Sequence, residues 1–197
     1  MLNKILLGSD FVKLVAIIGS NNQVSYNRLL IEFIAKHYPK FHLEKLEVRE
    51  LPLFNEDIAG VTPAVIEEWS KKISKSDGVI IACPEYNHSV TASLKSAIEW
   101  MSYQVHPLKQ KPVMILGAST YPQGSSRAQL HLRQILNSPG VDADVFQGQE
   151  FLLGQAKTAF NAAAEISDPK TVSFLAGCLQ DFAIFVKKAK KNDKGGK

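Results

Sequence analysis

The sequence predicts a doubly wound α/β fold, five parallel strands in the order 2-1-3-4-5 with helices on both faces. Two observations carry this. Short apolar runs of strand type alternate with amphipathic helical periods, and the alternation repeats five times within 197 residues. Strands separated by helices imply βαβ crossovers, and crossovers imply a parallel sheet covered on both sides.

Each element has its own signal. Residues 14–19 (LVAIIG) form a continuous, β-branched run ended by Gly, as expected of a strand buried on both faces. Residues 27–37 follow with Leu30, Phe33, Ile34 and His37 on one helical stripe. The alternating LEKLEV of residues 43–48 reads as an edge strand. Over residues 63–75, Ile66, Trp69 and Ile73 share a helix face. DGVIIAC at 77–83 is a second buried strand, and Leu94, Ile98 and Met101 mark a helix over 91–103. PVMILG at 112–117 is a third buried strand. A helix over 126–136 turns Ala128, Leu132, Ile135 and Leu136 inward, and VDADVF at 141–146 is a short strand. Residues 147–170 show no period and read as a functional or interfacial segment, a contact between subunits. A last helix over 171–187 aligns Val172, Leu175, Leu179, Phe182 and Val186. This is the flavodoxin-like arrangement, whose ligand crevice lies at the carboxyl ends of the strands beside the switch point.

Composition fits one domain. With 45% hydrophobic and 21% charged residues, the chain is neither disordered, collagenous nor a disulfide miniprotein. The net charge of +4 invites a nucleic-acid reading, but residues 187–197 (KKAKKNDKGGK) alone carry a net +5. The remaining 186 residues carry a net −1. The expected division is a single domain over 1–188, its core starting near 14, and a flexible lysine-rich tail over 189–197. No aromatic residue interleaves the lysines, so neither nucleic acid nor a membrane is expected as a partner. Two cysteines, Cys83 and Cys178, imply no disulfide framework. Asp10 and Lys13 interrupt the apolar N-terminal stretch, which argues against a signal peptide. A cytoplasmic protein is expected.

The fold directs attention to three loops. Residues 19–27 (GSNNQVSYN) run from a buried strand into a helix, where free N–H groups and the helix dipole favour an anion, with Ser20, Ser25 and Asn27 as added donors. Helix capping by Ser25 or Asn27 is the alternative use. The loop is neither GxGxxG nor GxxxxGK[ST]. Residues 84–89 (PEYNHS) set Tyr86 between Glu85 and Asn87, a composition suited to bordering a flat heterocycle, although Pro and Asn are also ordinary turn residues. Residues 118–126 (ASTYPQGSS) are small and hydroxylated, which leaves room for a ligand. The histidines His37, His42, His88, His106 and His131 show no metal spacing, and no metal is expected.

Four segments, GSNNQVSYNR, LPLFNEDI, PEYNHSVTASLKSAIEWMS and KPVMILGASTYPQGSSRAQLHLRQIL, resemble in order the signatures of the NADPH-dependent FMN reductase family, which includes bacterial quinone, azo-dye and chromate reductases. The resemblance extends from about Leu14 to Phe146. It implies a noncovalently held FMN, NADPH or NADH as electron donor, and two-electron ping-pong hydride transfer to small acceptors such as quinones, azo compounds or free flavin. It also implies a homodimer or homotetramer. Carried over residue by residue, Ser20, Ser25 and Asn27 hold the FMN phosphate, Pro84, Glu85, Tyr86 and Asn87 line the isoalloxazine, and Ser119 sits on its other side. Asn22 and Tyr26 complete the cofactor-binding set.

The chain departs from the family's pattern at three places. Asn22 stands where an Arg is usual, leaving Arg28 or a partner subunit to supply positive charge. Thr91-Ala92 replaces a usual Pro-Gly, and Tyr103 replaces a usual Arg. Because the cofactor carries the redox chemistry, no side chain is expected to serve as catalytic acid, base or nucleophile. A flavodoxin-type electron carrier is the rival reading, but the near-neutral body lacks a carrier's acidic field.

Overall fold

In the computed structural model, which describes residues 11–58 and 60–195, the strands line up in the order β2-β1-β3-β4-β5, all parallel. The elements in chain order are β1 (Val12–Ile18), α1 (Tyr26–His37), β2 (Phe41–Glu47), a 3-10 turn (Val48–Glu50), α2 (Ala64–Lys75), β3 (Gly78–Ala82), α3 (Ala92–Tyr103), β4 (Pro112–Ala118), α4 (Ser126–Leu136), β5 (Asp144–Val145), β6 (Phe151–Leu153), α5 (Ala156–Ala159) and α6 (Pro169–Gly195). The apolar start of the chain, residues 1–10, lies outside the described residues.

Every residue of β3 and β4 is buried, and β1 exposes only Lys13. Period-two geometry divides their side chains between two cores. Leu14, Ala16 and Ile18 face α1 and α6, where Leu30, Ile34, Leu179 and Phe182 meet them. Val15 and Ile17 face the other layer, packing with Trp69 of α2, Leu94 and Ile98 of α3 and Leu132 of α4. The edge strand β2 does not keep the expected alternation: Glu44 and Lys45 are both exposed, and Phe41 and Leu46 are buried in the two opposite cores. Leu14 fixes the central register, pairing with Leu43 on one side and Gly78 on the other. No helix among the described residues is long and apolar enough to cross a membrane.

Two further expectations need correction. The fifth strand is not one run over 141–146. Asp144–Val145 pairs with the start of β4, the chain then leaves the sheet, and Phe151–Leu153 returns to pair with the end of β4, so the sheet has six strands among the described residues. The polar run Gln147, Gly148, Gln149, Glu150 explains the break, since its side chains cannot be buried in a ladder. Arg133 marks the gap, donating to the Phe146 carbonyl at 2.9 Å and lying 3.4 Å from Glu150. The last helix is also longer than expected. Asp168 caps its start through the N–H groups of Lys170 and Thr171, with Pro169 at the first helical position. At the other end α6 continues past residue 187 to Gly195, because Lys and Ala are strong helix formers and cations favour a helix C-terminus. Lys190 pairs with Asp77 below the sheet.

Gly117, one residue before the end of β4, shows how closely the layers approach at the crevice. A Cβ there would lie 2.0 Å from Ser125 Oγ and 2.5 Å from the Cys83 carbonyl oxygen. Replacing Gly117 by Ala therefore overpacks the site, and the expected loss is about 2–3 kcal/mol in a urea unfolding titration. An unchanged midpoint would mean that Ser125 and the end of β3 move apart freely.

Candidate functional site

The carboxyl ends of β1, β3 and β4 open into three loops, as the strand order requires. The first loop, residues 19–25, leaves β1 and enters α1. Ser25 is the N-cap of α1, its hydroxyl accepting the Arg28 N–H at 3.3 Å. Ser20 is buried and accepts the Asn22 N–H at 3.3 Å. Each hydroxyl thus spends a lone pair internally and keeps its proton for an external acceptor. The backbone N–H groups of Tyr26 and Asn27, the first turn of α1, have no acceptor among the described residues, and that turn contains no acidic side chain.

Two side chains of the expected cofactor-binding set have partners within the fold. The Asn27 side chain is buried and turned into the fold, its Nδ2 donating to the Ala118 carbonyl at 2.9 Å and its Oδ1 accepting the Ala118 N–H at 3.0 Å. Only its backbone N–H faces outward at the helix start. The Tyr26 ring stacks on Phe160, with centroids 6.3 Å apart, and so packs away from the loop.

Arg28 holds the first loop from below. Its Nε and Nη2 donate to the two carboxylate oxygens of Glu47 at 2.8 and 2.7 Å, and its Nη1 donates to the carbonyls of Asn22 and Gln23 at 3.0 and 2.8 Å. The hydrogen bond to Glu47 raises the guanidinium pKa further, and the same bond holds the Glu47 carboxyl below the ordinary glutamate range. Arg28 is therefore not a free cation for an anionic ligand.

The second loop is a minimal β-hairpin. Tyr86 and Ser89 exchange two backbone hydrogen bonds at 3.0 Å, and the two residues between them have positive φ, 49° at Asn87 and 62° at His88. That is a type I′ turn, which favours Asn at its first central position. The hairpin is braced on three sides. The Tyr86 hydroxyl accepts from Asn22 Nδ2 at 2.7 Å, which joins it to the first loop. Ser89 Oγ lies 2.7 Å from His131 Nδ1 on α4. Glu85 Oε2 accepts the N–H groups of Arg127 and Ala128 at 3.0 and 3.2 Å, capping α4 from outside the helix. The Glu85 carboxylate thus sits on the positive end of the α4 dipole. Pro84 is buried against Gly19, and Tyr86 and Asn87 remain exposed.

Ser119 opens the third loop, half-buried, where its Oγ accepts the Tyr121 N–H at 3.2 Å. Its backbone continues the pairing with the returning chain, donating to the Leu153 carbonyl and accepting from the Ala156 N–H. Thr91 is a connector that the sequence did not reveal. Its hydroxyl caps α3 by accepting the Leu94 N–H at 3.1 Å and donates to the Gly19 carbonyl at 2.7 Å. A Thr before a helical period could have signalled the cap, but nothing local signals the second bond. The pairing of Arg28 with Glu47, 19 residues apart, is equally invisible to local pattern. Burial pushes the Cys83 thiol up and takes Cys178 to about 11, so neither is a thiolate at neutral pH. A groove of about 780 Å³, lined by Lys13, Glu44, Lys72 and Lys75 among others, lies at the opposite end of the sheet.

A family model described as NADPH-dependent FMN reductase matches residues 12–158. The chain is 45% identical over 172 residues to the NADH:(hydroxy)cinnamate reductase subunit CrdA of Vibrio ruber, covering 87% of this chain and 85% of that one. It is 39% identical over 186 residues to the NADH-dependent flavin reductase subunit 2 of Lactobacillus johnsonii, covering 91% and 100%. Among solved structures it is similar to FerB, a flavoenzyme NAD(P)H:(acceptor) oxidoreductase from Paracoccus denitrificans, with a TM-score of 0.77, 26% identity and coverage of 90% and 98%.

Two outcomes follow from the braces. Replacing Glu85 by Ala removes the α4 cap and should lower stability by about 1 kcal/mol in chemical unfolding. The Glu47 carboxyl is depressed in the folded state, so its stabilisation is present above the ordinary glutamate pKa of about 4.3 and is lost as pH falls through the lower folded value. Melting temperatures of the native protein and Glu47→Gln should therefore differ at neutral pH and converge in that acid range. A difference that persists unchanged at the acid end would remove the charge from the explanation.

Proposed function

The chain belongs to the NADPH-dependent FMN reductase family, and from that premise we propose an NAD(P)H-dependent flavin oxidoreductase whose crevice is the one formed by the three loops. The observation that carries the assignment is the start of α1: unpaired N–H groups, two hydroxyls with protons to give, and no acidic side chain in the first turn. Those features fit a phosphate monoester. The α4 terminus, by contrast, already holds the Glu85 carboxylate. The hairpin fits the ring system, because it presents an exposed aromatic face at Tyr86 and an exposed amide at Asn87 on a turn that cannot sag.

When bound, FMN accepts two electrons from the nicotinamide and delivers them to a small acceptor. The chain's part is to hold and to orient. Ser20, Ser25 and the N–H groups of Tyr26 and Asn27 grip the phosphate. Tyr86, Asn87 and the backbone beside Pro84 border the ring, with Ser119 across from them, while Asn22 ties the two loops together through Tyr86. Glu85 contributes at one remove, by fixing the hairpin on α4. Donor and acceptor would occupy the crevice in turn, the ping-pong order proposed for this chain. NADH is the proposed donor, since the relatives at 45% and 39% identity are both named for it. Quinones, azo compounds and free flavin are the proposed acceptors, in the cytoplasm. Assembly as a homodimer or homotetramer is proposed with them, supported by exposed apolar side chains at Leu53, Val61, Tyr103 and Leu130.

The purified protein should be yellow, release FMN on denaturation and bleach on anaerobic addition of NADH. Initial rates against NADH at several quinone concentrations should give parallel double-reciprocal lines. A colourless protein that takes up no FMN would sink the proposal, and a flavin that stays oxidised under NADH would favour the electron carrier.

A further inference from the structure

We propose that Arg28 is a positioning residue for the cofactor phosphate, acting through the backbone of the first loop and not through its own charge. The inference rests on the reading of that loop as the phosphate site. Arg28 Nη1 binds the carbonyls of Asn22 and Gln23 together. In a trans peptide the carbonyl and the following N–H point in opposite directions. Holding those two carbonyls therefore aims the N–H groups of Gln23 and Val24 the other way, and neither of these has an acceptor among the described residues.

The strand order says which way that is. Arg28 is anchored to Glu47, the last residue of β2, so it pulls the carbonyls toward the β2 side of β1. The two N–H groups turn toward β3, the side on which the order reverses and the crevice opens. Asn22, whose side chain reaches Tyr86 beyond β3, leans the same way. With Tyr26 and Asn27 they make four backbone donors beside the hydroxyls of Ser20 and Ser25. An array of fixed amide dipoles can hold an anion without a facing cation. Four of the five guanidinium donors are occupied and its charge is matched by Glu47, so direct neutralisation by Arg28 is not the explanation.

The test titrates FMN, and riboflavin, which lacks the phosphate, into full-length flavin-free protein and follows flavin fluorescence. The double variant Arg28→Met with Glu47→Met avoids leaving a half-buried carboxylate unpaired. It should weaken FMN binding about 10- to 100-fold, the worth of one or two charge-assisted hydrogen bonds, and change riboflavin binding by less than about twofold. Hydrogen exchange at the amides of Gln23 and Val24 should accelerate in the flavin-free variant. Arg28→Lys keeps the charge without the fork and should lose most of the preference for FMN; should the double variant not fold, this variant decides alone. An unchanged FMN affinity, equal losses for both flavins, or a Lys variant that keeps the full preference would each overturn the role given to Arg28. If the native protein itself binds FMN no better than riboflavin, the phosphate reading of the loop fails as well, and the native titration alone reveals it.

Discussion

Ala118 is the last residue of β4, and its N–H and carbonyl are both bonded by the side-chain amide of Asn27, 91 residues earlier. β3 ends level with Leu116, so beyond that point β4 has no strand on its inner side. The asparagine supplies the missing donor and acceptor as a short piece of strand would, where an unpaired buried peptide group costs about 1–3 kcal/mol. The consequence is positional. Asn27 sits in the first turn of α1, so satisfying β4 fixes the start of that helix against the mouth of the sheet. Thr91 does the same for α3 through the Gly19 carbonyl, and Glu85 joins the hairpin to α4. The crevice is thus built where strand ends need partners that the sheet cannot provide.

The division between what the sequence disclosed and what it withheld follows from this. Strands buried on both faces, such as GVIIA in β3, are legible because each residue is constrained in the same way. Helix α4 is legible in full because one apolar stripe defines it. The three loops were located by topology, and the segments that carry the family's signatures lie on them. Individual side-chain roles were less legible. Asn27 and Glu85 have the donors and acceptors a ligand would use, and local pattern does not say whether a distant backbone claims them first. β6 escaped notice because three residues carry no period, and its place is set by Leu116 to Ala118, far away in sequence.

Charge is organised on two scales. The whole-chain excess of +4 arises from residues 187–197, whose described part continues the last helix. At the first loop the charge of Arg28 is matched by Glu47, and two of the loop's carbonyls are fixed by hydrogen bonds from its guanidinium. Such a site depends on geometry more than on ion count, which explains why much of the polar side-chain chemistry around it serves to brace loops.

The interrupted fifth strand has a consequence for how the protein behaves in a crowded solution. A long, flat outer strand offers a row of unpaired peptide groups on which another chain can add, the first step of edge-to-edge aggregation. Here that margin is cut into pieces of two and three residues separated by Gln147, Gly148, Gln149 and Glu150. The opposite margin, β2, is longer but carries exposed His42, Glu44 and Lys45. Both margins therefore carry features that oppose the addition of a further strand, one through its shortness and the other through its exposed polar side chains.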